Sequence, residues 1–154
     1  VFLKAKSMKS SGERIPKADS IVAAYIKKSV PEIESLNIES DGNINFSLMV
    51  NFNNTEAIIL PDSEGELMKL LEVLRVHNDV QLEIIGHTDD VGDANDNQIL
   101  SENRAEAVKR FLEKNKIEEN RLVSSGKGES EPISSNEDEI GRFMNRRVEF
   151  KLSY

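Results

Sequence analysis

The sequence predicts an α+β domain: a two-layer sandwich in which a mixed four-stranded sheet, formed in the order βαβαββ, carries helices on one face. Predicted strands alternate with two long helical segments along the chain. The first and last strands are polar at every second residue, whereas the strands of a doubly wound sheet, buried on both faces, would be continuously apolar. With 154 residues, 38% of them apolar, the chain is long enough to bury one real core.

The chain is expected to divide into a basic arm or linker at residues 1–40 and a folded domain at residues 41–154. Between Pro16 and Pro31 the spacing predicts one short helix that starts at Asp19 or Ser20. Whether this segment packs on the domain or only leads from an anchor is left open. The helically spaced residues are Ile21, Ala24, Tyr25 and Lys28.

The first strand and the first long helix of the domain follow in order. Apolar residues occupy every second position of residues 43–52, which predicts a strand with one buried face. Ser63 and Glu66 form a capping-box pattern, so a helix is predicted from there to about His77. Its buried stripe consists of Leu67, Leu70, Leu71 and Leu74.

The second half of the domain contributes three more strands and one longer helix. A strand at residues 80–85 ends at Gly86, a helix spans about residues 94–115, and a short strand covers residues 121–125. A loop then leads to the closing strand at residues 147–152, which alternates again. The buried face of the longer helix is predicted to consist of Leu100, Val108, Phe111 and Leu112.

Charge and composition exclude several classes of protein. Of the formal charge of −8, residues 1–30 carry +5, from seven Lys/Arg against two acids, which leaves −13 on the rest. A nucleic-acid partner is therefore not expected. There is no cysteine, and no apolar run approaches the roughly 20 residues that cross a bilayer. Any membrane contact is expected through an anchor outside this chain, which begins at Val1 and reads as a trimmed or mature fragment.

Polar and charged residues concentrate between Gly86 and Arg104, at the carboxyl end of a predicted strand, where open α/β sheets commonly bind ligands. A calcium loop starting at Asp93 fails, because glycine is needed at its sixth position, where Gln98 stands, and a bidentate Glu at its twelfth. His87 lacks a second imidazole to join it in a metal site, and no cofactor is expected.

Catalysis is poorly supported by the same segment. A hydrolase would use Ser101, His87 and Asp89, yet Ser101 lies on a predicted helix and no nucleophile elbow surrounds it. The adjacent acids Asp89 and Asp90 are expected to diverge, unlike the facing carboxylates of a glycosidase. No catalytic residue is therefore assigned, and the chain is expected not to be an enzyme.

Asp89 and Arg104 together suit a zwitterionic ligand. Asp accepts hydrogen bonds from an ammonium, Arg offers a planar fork to a carboxylate, and each charged hydrogen bond contributes about 1.5–3 kcal/mol when shielded. The alternative is that the two side chains only bridge each other, which at an exposed surface is worth about 0–1 kcal/mol. Asn97, seven residues before Arg104, lies on the same helix face and could flank the same cleft.

A set of motifs with long spacings extends over about residues 44–152. Its residues are Phe52, Asn53, Ala57, Ile59, Pro61, Gly86 to Asp89, Gly92, Asn97, Leu100, Ser101, Arg104, Ala105, Arg121, Leu122, Gly126, Gly128, Glu129, Pro132, Ile133, Asn136, Gly141, Arg142 and Asn145 to Glu149. In residue type and spacing these motifs resemble the OmpA-like (OmpA/MotB C-terminal) peptidoglycan-binding domain.

This resemblance implies a noncatalytic domain that binds the meso-diaminopimelate of the peptidoglycan stem peptide, in the periplasm or at the cell outer membrane of a Gram-negative bacterium. Asp89 would take the ammonium and Arg104 a carboxylate. Positions expected to line the pocket are Asn53, Thr88, Asn97 and Leu100. Asn145 and Arg147 also match the motif, and Arg147 is counted with the binding residues, with the alternative role of holding the sheet and loop together.

Two other hypotheses stay open beside this one. The cleft or the wet face of the sheet could hold a partner chain, as in a protein-interaction domain of an envelope or flagellar-motor-stator assembly, and Tyr25, Phe143 and the basic arm would then matter more. An enzymatic hypothesis remains because His87 and the acids are present. Homodimerisation, the type of anchor and amidation of the diaminopimelate are left open.

Overall fold

A computed structural model describes residues 16–29, 35–53 and 56–153. Residues 1–15 and 30–34 of the predicted basic arm or linker lie outside the described residues. Two strands follow the first helix, after which helices and strands alternate along the described chain, and one 3₁₀ turn at Glu119–Arg121 precedes the fourth strand. The elements are α1 (Pro16–Ser29), β1 (Ser35–Ile38), β2 (Ile44–Leu48), α2 (Pro61–Val76), β3 (Gln81–Gly86), α3 (Ala94–Lys114), β4 (Leu122–Gly126), α4 (Glu139–Asn145) and β5 (Val148–Ser153).

The sheet has the order β1-β2-β5-β3-β4, in which β3 and β4 are parallel and the other pairs antiparallel. The predicted mixed α+β sheet is confirmed, but the described chain forms five strands where four were predicted. The additional strand, β1, is too short for its alternation to be recognised in the sequence. The boundary expected between residues 40 and 41 falls in the turn that joins β1 to β2, so the sheet begins before that boundary.

The core lies against one face of the sheet. Phe46, Ile84 and Phe150 are at most 2% exposed, and their neighbours along each strand are half-buried. Two of these side chains, Phe46 and Phe150, stack across β2 and β5 with ring centroids 5.3 Å apart. The predicted leucine stripe of α2 completes this core, with Leu67, Leu70, Leu71 and Leu74 at most 1% exposed.

Helix α1 packs on this core, and Tyr25, one of the helically spaced residues, contacts it as a partly buried side chain. Val22, Ala23 and Ile26 belong to the buried cluster, while Ala24 and Lys28 are exposed. The helix also begins at Pro16, ahead of the predicted start at Asp19 or Ser20. Proline fits the first turn of a helix because its missing N–H has no intrahelical partner there.

Helix α2 does not use the predicted capping box. It begins at Pro61, two residues before Ser63, and no side chain caps it. Ser63 is instead buried within the first turn, where its Oγ accepts a hydrogen bond of 2.8 Å from the backbone N–H of Asn51. The serine therefore joins the helix to the segment that follows β2.

Candidate functional site

The carboxyl end of β3 leads into a buried polar segment. His87, Thr88 and Asp89 are 2%, 4% and 8% exposed. The amides of His87 and Thr88 donate to the carbonyls of Arg147 and Gly128, at 3.0 and 2.9 Å. These two bonds hold the segment between the loop after β4 and the start of β5, so Asp89 has a fixed position.

Hydrogen bonds fix the Asp89 loop from both sides. The Thr88 hydroxyl donates to the Asp89 carbonyl at 2.8 Å, and the Val91 amide donates to Asp89 Oδ1 at 3.0 Å. Asn97, buried on α3, donates from Nδ2 to the carbonyls of Asp89 and Val91 and to Glu129 Oε2. Thr88 and Asn97 thus position the backbone that carries Asp89.

Helix α3 begins with a cap at the residue that the calcium hypothesis would have used. Asp93 Oδ1 accepts from the amides of Asn95 and Asp96, at 2.8 and 3.3 Å. These are the ordinary bonds of an N-cap. The alternating Asp and Asn pattern is therefore explained by the helix start.

Helix α3 approaches the sheet very closely at Ser101. A Cβ added to Gly86 would lie 2.2 Å from the Ser101 carbonyl oxygen, and one added to Gly126 would lie 2.3 Å from its Oγ. The same Oγ accepts from the Gly128 amide at 2.9 Å and donates to the Gln98 carbonyl at 2.8 Å. The two glycines thereby place α3, and with it Arg104, against the ends of β3 and β4.

The hypothesised Ser101–His87–Asp89 triad is not assembled. Ser101 is fully buried and bonds to backbone groups, while the His87 imidazole faces Glu149, with Nε2 3.3 Å from Oε2. Among the described residues, no three His, Asp or Glu side chains are grouped as a metal ion would require.

Arg104 extends from α3 toward the segment that follows β2. Its guanidinium carbon lies 5.2 Å from the centroid of the Phe52 ring, a cation–π distance. Its Nε is buried and makes no hydrogen bond to any described residue. Burial lowers the pKa of the Arg104 guanidinium, Asp89 opposes this, and Arg146 adds to it. No described carboxylate forms an ion pair with Arg104, so the alternative of a simple Asp89–Arg104 bridge does not hold in this structure.

The direct partner of Asp89 is Arg146, a residue that sequence reasoning did not single out. Arg146 Nη1 lies 2.6 Å from Asp89 Oδ2, and Nη2 lies 2.6 Å from Glu139 Oε1. Burial alone would lower the pKa of this guanidinium, but the bonds to Asp89 and Glu139 raise it on balance. In the sequence, the Asn-Arg-Arg run of residues 145–147 is the available signal for Arg146, but it indicates Arg147 as readily as Arg146.

The two arginines open onto one cleft of about 450 Å³ between the end of β2 and α4. Phe143, on α4, lies 6.0 Å from the Arg146 guanidinium carbon, much as Phe52 lies beside that of Arg104. Asp89 reaches this cleft through its bond to Arg146. The lining residues are Met49, Asn51, Phe52, Arg104, Glu139, Phe143 and Arg146.

Three other predicted site residues are not among those that line this cleft: Asn53, Leu100 and Arg147. Arg147 is 4% exposed and donates from Nε and Nη2 to Glu149 Oε1 at 2.9 and 2.7 Å, and from Nη2 to the Glu131 carbonyl at 3.0 Å. It therefore ties β5 to the loop after β4. Asn53 is exposed, with Nδ2 3.4 Å from Glu56 Oε2, and Leu100 is half-buried on α3.

Fold and site together define a class of protein: a small α+β domain whose charged cleft lies beside the end of a central strand. The chain belongs to the OmpA family, whose model matches residues 51–146. It is 36% identical over 106 residues to outer membrane porin F of Pseudomonas fluorescens, a match that covers 69% of this chain and 32% of the porin. The chain thus spans about a third of that relative.

Solved structures share the fold. A putative MotB-like protein from Desulfovibrio vulgaris superposes with a TM-score of 0.78 at 27% identity, over 89% of this chain and 91% of that one. The peptidoglycan-associated lipoprotein from Burkholderia pseudomallei gives a TM-score of 0.63 at 25% identity, over 68% of this chain and 88% of that one. The predicted family is confirmed.

The predicted location in the envelope, at the outer membrane or in the periplasm of a Gram-negative bacterium, is confirmed by relatives that are outer-membrane proteins and lipoproteins. None of the helices formed by residues 16–29 and 56–153 combines the length and apolarity that crossing a membrane requires.

Proposed function

We propose that this domain binds peptidoglycan without catalysis, through the diaminopimelate of the stem peptide, and so anchors an envelope protein to the cell wall. The observation that carries the proposal is the Arg104 guanidinium. It is half-buried in the cleft, and within the described chain it has no carboxylate at ion-pair distance. A partly buried cation without a close counterion favours an anionic ligand group.

The two charged groups at the free end of diaminopimelate match the two charges of the site. Arg104 binds the carboxylate of the free end of the ligand, and Phe52 beneath the guanidinium restricts its orientation. Asp89 accepts hydrogen bonds from the ammonium of the same end, and Thr88 and Asn97 hold the Asp89 backbone for this role. Asn53, Leu100 and Arg147 remain part of the proposed binding region, with Arg147 acting through the loop that it fixes.

The family supports this role. The lipoprotein from Burkholderia pseudomallei is peptidoglycan-associated by name, and porin F is an outer membrane protein. For this chain the proposed partner is the wall itself, and membrane attachment would come from an anchor outside these residues. The acidic body of the domain requires the attraction to be local, at Arg104 and the amides beside it.

Calorimetry with two stem peptides tests the proposal. The wild type is expected to bind a peptide containing meso-diaminopimelate and to bind its lysine analogue, which lacks the side-chain carboxylate, far more weakly. Arg104→Ala and Asp89→Asn should each weaken binding of the diaminopimelate peptide about tenfold to a hundredfold, since each removes a charged hydrogen-bonding group.

Two neighbours serve as matched controls. Arg110 lies on the same helix and its side chain is 75% exposed, and Asp90 is the exposed neighbour of Asp89. Arg110→Ala and Asp90→Asn are expected to bind like the wild type. Equal binding of both peptides by the wild type, or full binding by the Arg104 and Asp89 variants, would contradict the proposal.

A second candidate function rests on the surface of α4. Ile140 and Phe143, three residues apart, are 78% and 46% exposed on the helix that borders the cleft. Exposed apolar side chains on one helix face are typical of a protein-binding surface. If α4 binds a partner chain or a second copy of this domain, native mass spectrometry will show a complex that Ile140→Ser abolishes without affecting peptide binding.

A further inference from the structure

The carboxylate of Asp89 is already occupied in the free domain. Its Oδ1 accepts from the Val91 amide at 3.0 Å, its Oδ2 from Arg146 at 2.6 Å, and its side chain is only 12% exposed. A carboxylate can accept further bonds, but burial leaves little room beside these two. An ammonium therefore reaches Asp89 by competing with Arg146.

Arg146 can leave Asp89 without leaving the cleft. Its side chain is 33% exposed, and its second terminal nitrogen is held by Glu139, whose side chain is 68% exposed. The Phe143 ring lies beside the guanidinium at 6.0 Å and would still contact it after a small rotation. The arginine therefore has a second anion and an aromatic surface to support a displaced position.

Charge balance decides which ligand can displace Arg146 from Asp89. A ligand with an ammonium alone would take Asp89 and leave two guanidiniums, Arg104 and Arg146, facing the cleft with Glu139 as their described counterion there. The two already repel each other, since Arg146 contributes to the lowered pKa of Arg104. A ligand that also brings a carboxylate replaces the anion that Arg146 gives up.

Resting on the proposed function, we infer that Arg146 is a specificity-determining residue that exchanges partners during binding. It holds the Asp89 carboxylate in the free domain and releases it only to a ligand whose ammonium is accompanied by a carboxylate. Arg146 thereby excludes simple amines and lysine-type stem peptides, while Arg104 and Asp89 provide the attraction.

Calorimetry on Arg146→Gln tests the exchange, with Arg110→Gln as the control for loss of one arginine. The probes are the diaminopimelate stem peptide, its lysine analogue and 1,5-diaminopentane, which carries amines alone. Freed from competition, Asp89 in the variant should bind the lysine peptide and the diamine at least about tenfold more tightly than in the wild type, and the preference for diaminopimelate should fall about tenfold. An unchanged preference, or equal weakening of both peptides, overturns the inference.

The outcomes separate this inference from the proposed function. If the wild type binds neither peptide, the proposed function fails, and binding of 1,5-diaminopentane then tests the partner exchange. Binding of the diamine by Arg146→Gln and not by the wild type supports the exchange. Any other result overturns it. If the variant does not fold, a crystal structure of the wild type with the diaminopimelate peptide replaces it. Arg146 Nη1 must then have left Asp89 Oδ2, and an intact 2.6 Å bond in the complex refutes the exchange.

Discussion

Lys116, just after α3, has a φ of 73°, in the left-handed region that favours glycine. Its amide donates to the Glu113 carbonyl, and the Ile117 amide donates to the Leu112 carbonyl, which is the bonding pattern of a Schellman motif. We expect Lys116→Gly to raise the free energy of unfolding by about 0.5–1 kcal/mol, because it removes the Cβ strain. Urea unfolding measures this, and Lys114→Gly, at the last residue of α3, should instead lower stability by up to about 1 kcal/mol.

Glu149 makes the domain sensitive to acid. The His87 imidazole lowers the pKa of this carboxyl, burial opposes the effect, and Arg147 lowers the pKa further, to about 2. A lowered pKa in the folded state stabilises the protein above about 4.5, and this contribution is lost as the pH falls toward about 2.

We therefore expect Glu149→Gln to flatten the acid side of the stability curve. Because the carboxylate is about a third exposed, the loss should be no more than about 1–2 kcal/mol. Urea unfolding at several pH values between 7 and 2.5 measures the difference between the two proteins. Parallel curves would contradict the assignment, and Glu64→Gln at the surface controls for removal of one negative charge.

At the scale of single residues, the central charges of the candidate site could be predicted and their pairing could not. Asp89 directly follows a strand, and Arg104 lies on a strongly periodic helix. Their neighbourhood can therefore be predicted from the sequence. Arg146 depends on α4, a helix of seven residues within a long loop. A helix of one or two turns contains too few apolar repeats to give a periodic signal in the sequence.

At the scale of elements, the distance between α3 and the parallel pair β3–β4 is set by glycine. A Cβ at residue 126 would lie 2.3 Å from Ser101 Oγ and 2.4 Å from the Glu102 amide nitrogen. Gly126→Ala should therefore push α3 outward and cost about 1–3 kcal/mol. Since Arg104 lies on the same helix, binding of the diaminopimelate peptide should weaken as well.

A second glycine provides the comparison for this experiment. Gly65 lies in α2, and a Cβ added there would meet no atom within 4 Å, so Gly65→Ala should stabilise the domain by about 0.5–1 kcal/mol. Thermal unfolding of both variants, followed by circular dichroism, measures the opposite signs. Similar shifts in both proteins would mean that close packing at Ser101 does not position α3.

Elements with long periodic patterns were predicted, and those fixed by tertiary contacts were not. The alternation in β2 and β5 and the leucines of α2 each extend over several repeats. In contrast, β1 has four residues, and it exists because Leu36 and its neighbours pair with β2. Ser63 does not cap α2 because the helix already begins at Pro61 and because the Ser63 hydroxyl oxygen accepts a hydrogen bond from the Asn51 amide.

At the scale of the whole molecule, α1 belongs to the same core as the sheet. Ile26 is fully buried in the cluster that contains Leu71 and Phe150. We expect Ile26→Ala to lower the free energy of unfolding of the entire domain by about 2–4 kcal/mol, in one transition. Lys27→Ala, at the exposed neighbour, should have little effect. A separate early transition in calorimetry, with the main one unchanged, would show that α1 docks independently.

The two aromatic residues that line the cleft come from distant parts of the chain, Phe52 beyond β2 and Phe143 on α4. During synthesis the ribosome releases Phe52 first, then Arg104, and Arg146 only after both. Chains truncated before α4 therefore lack Phe143 and Arg146, and with them part of the cleft lining. If the domain binds the wall as proposed, only a chain completed through α4 can attach to it.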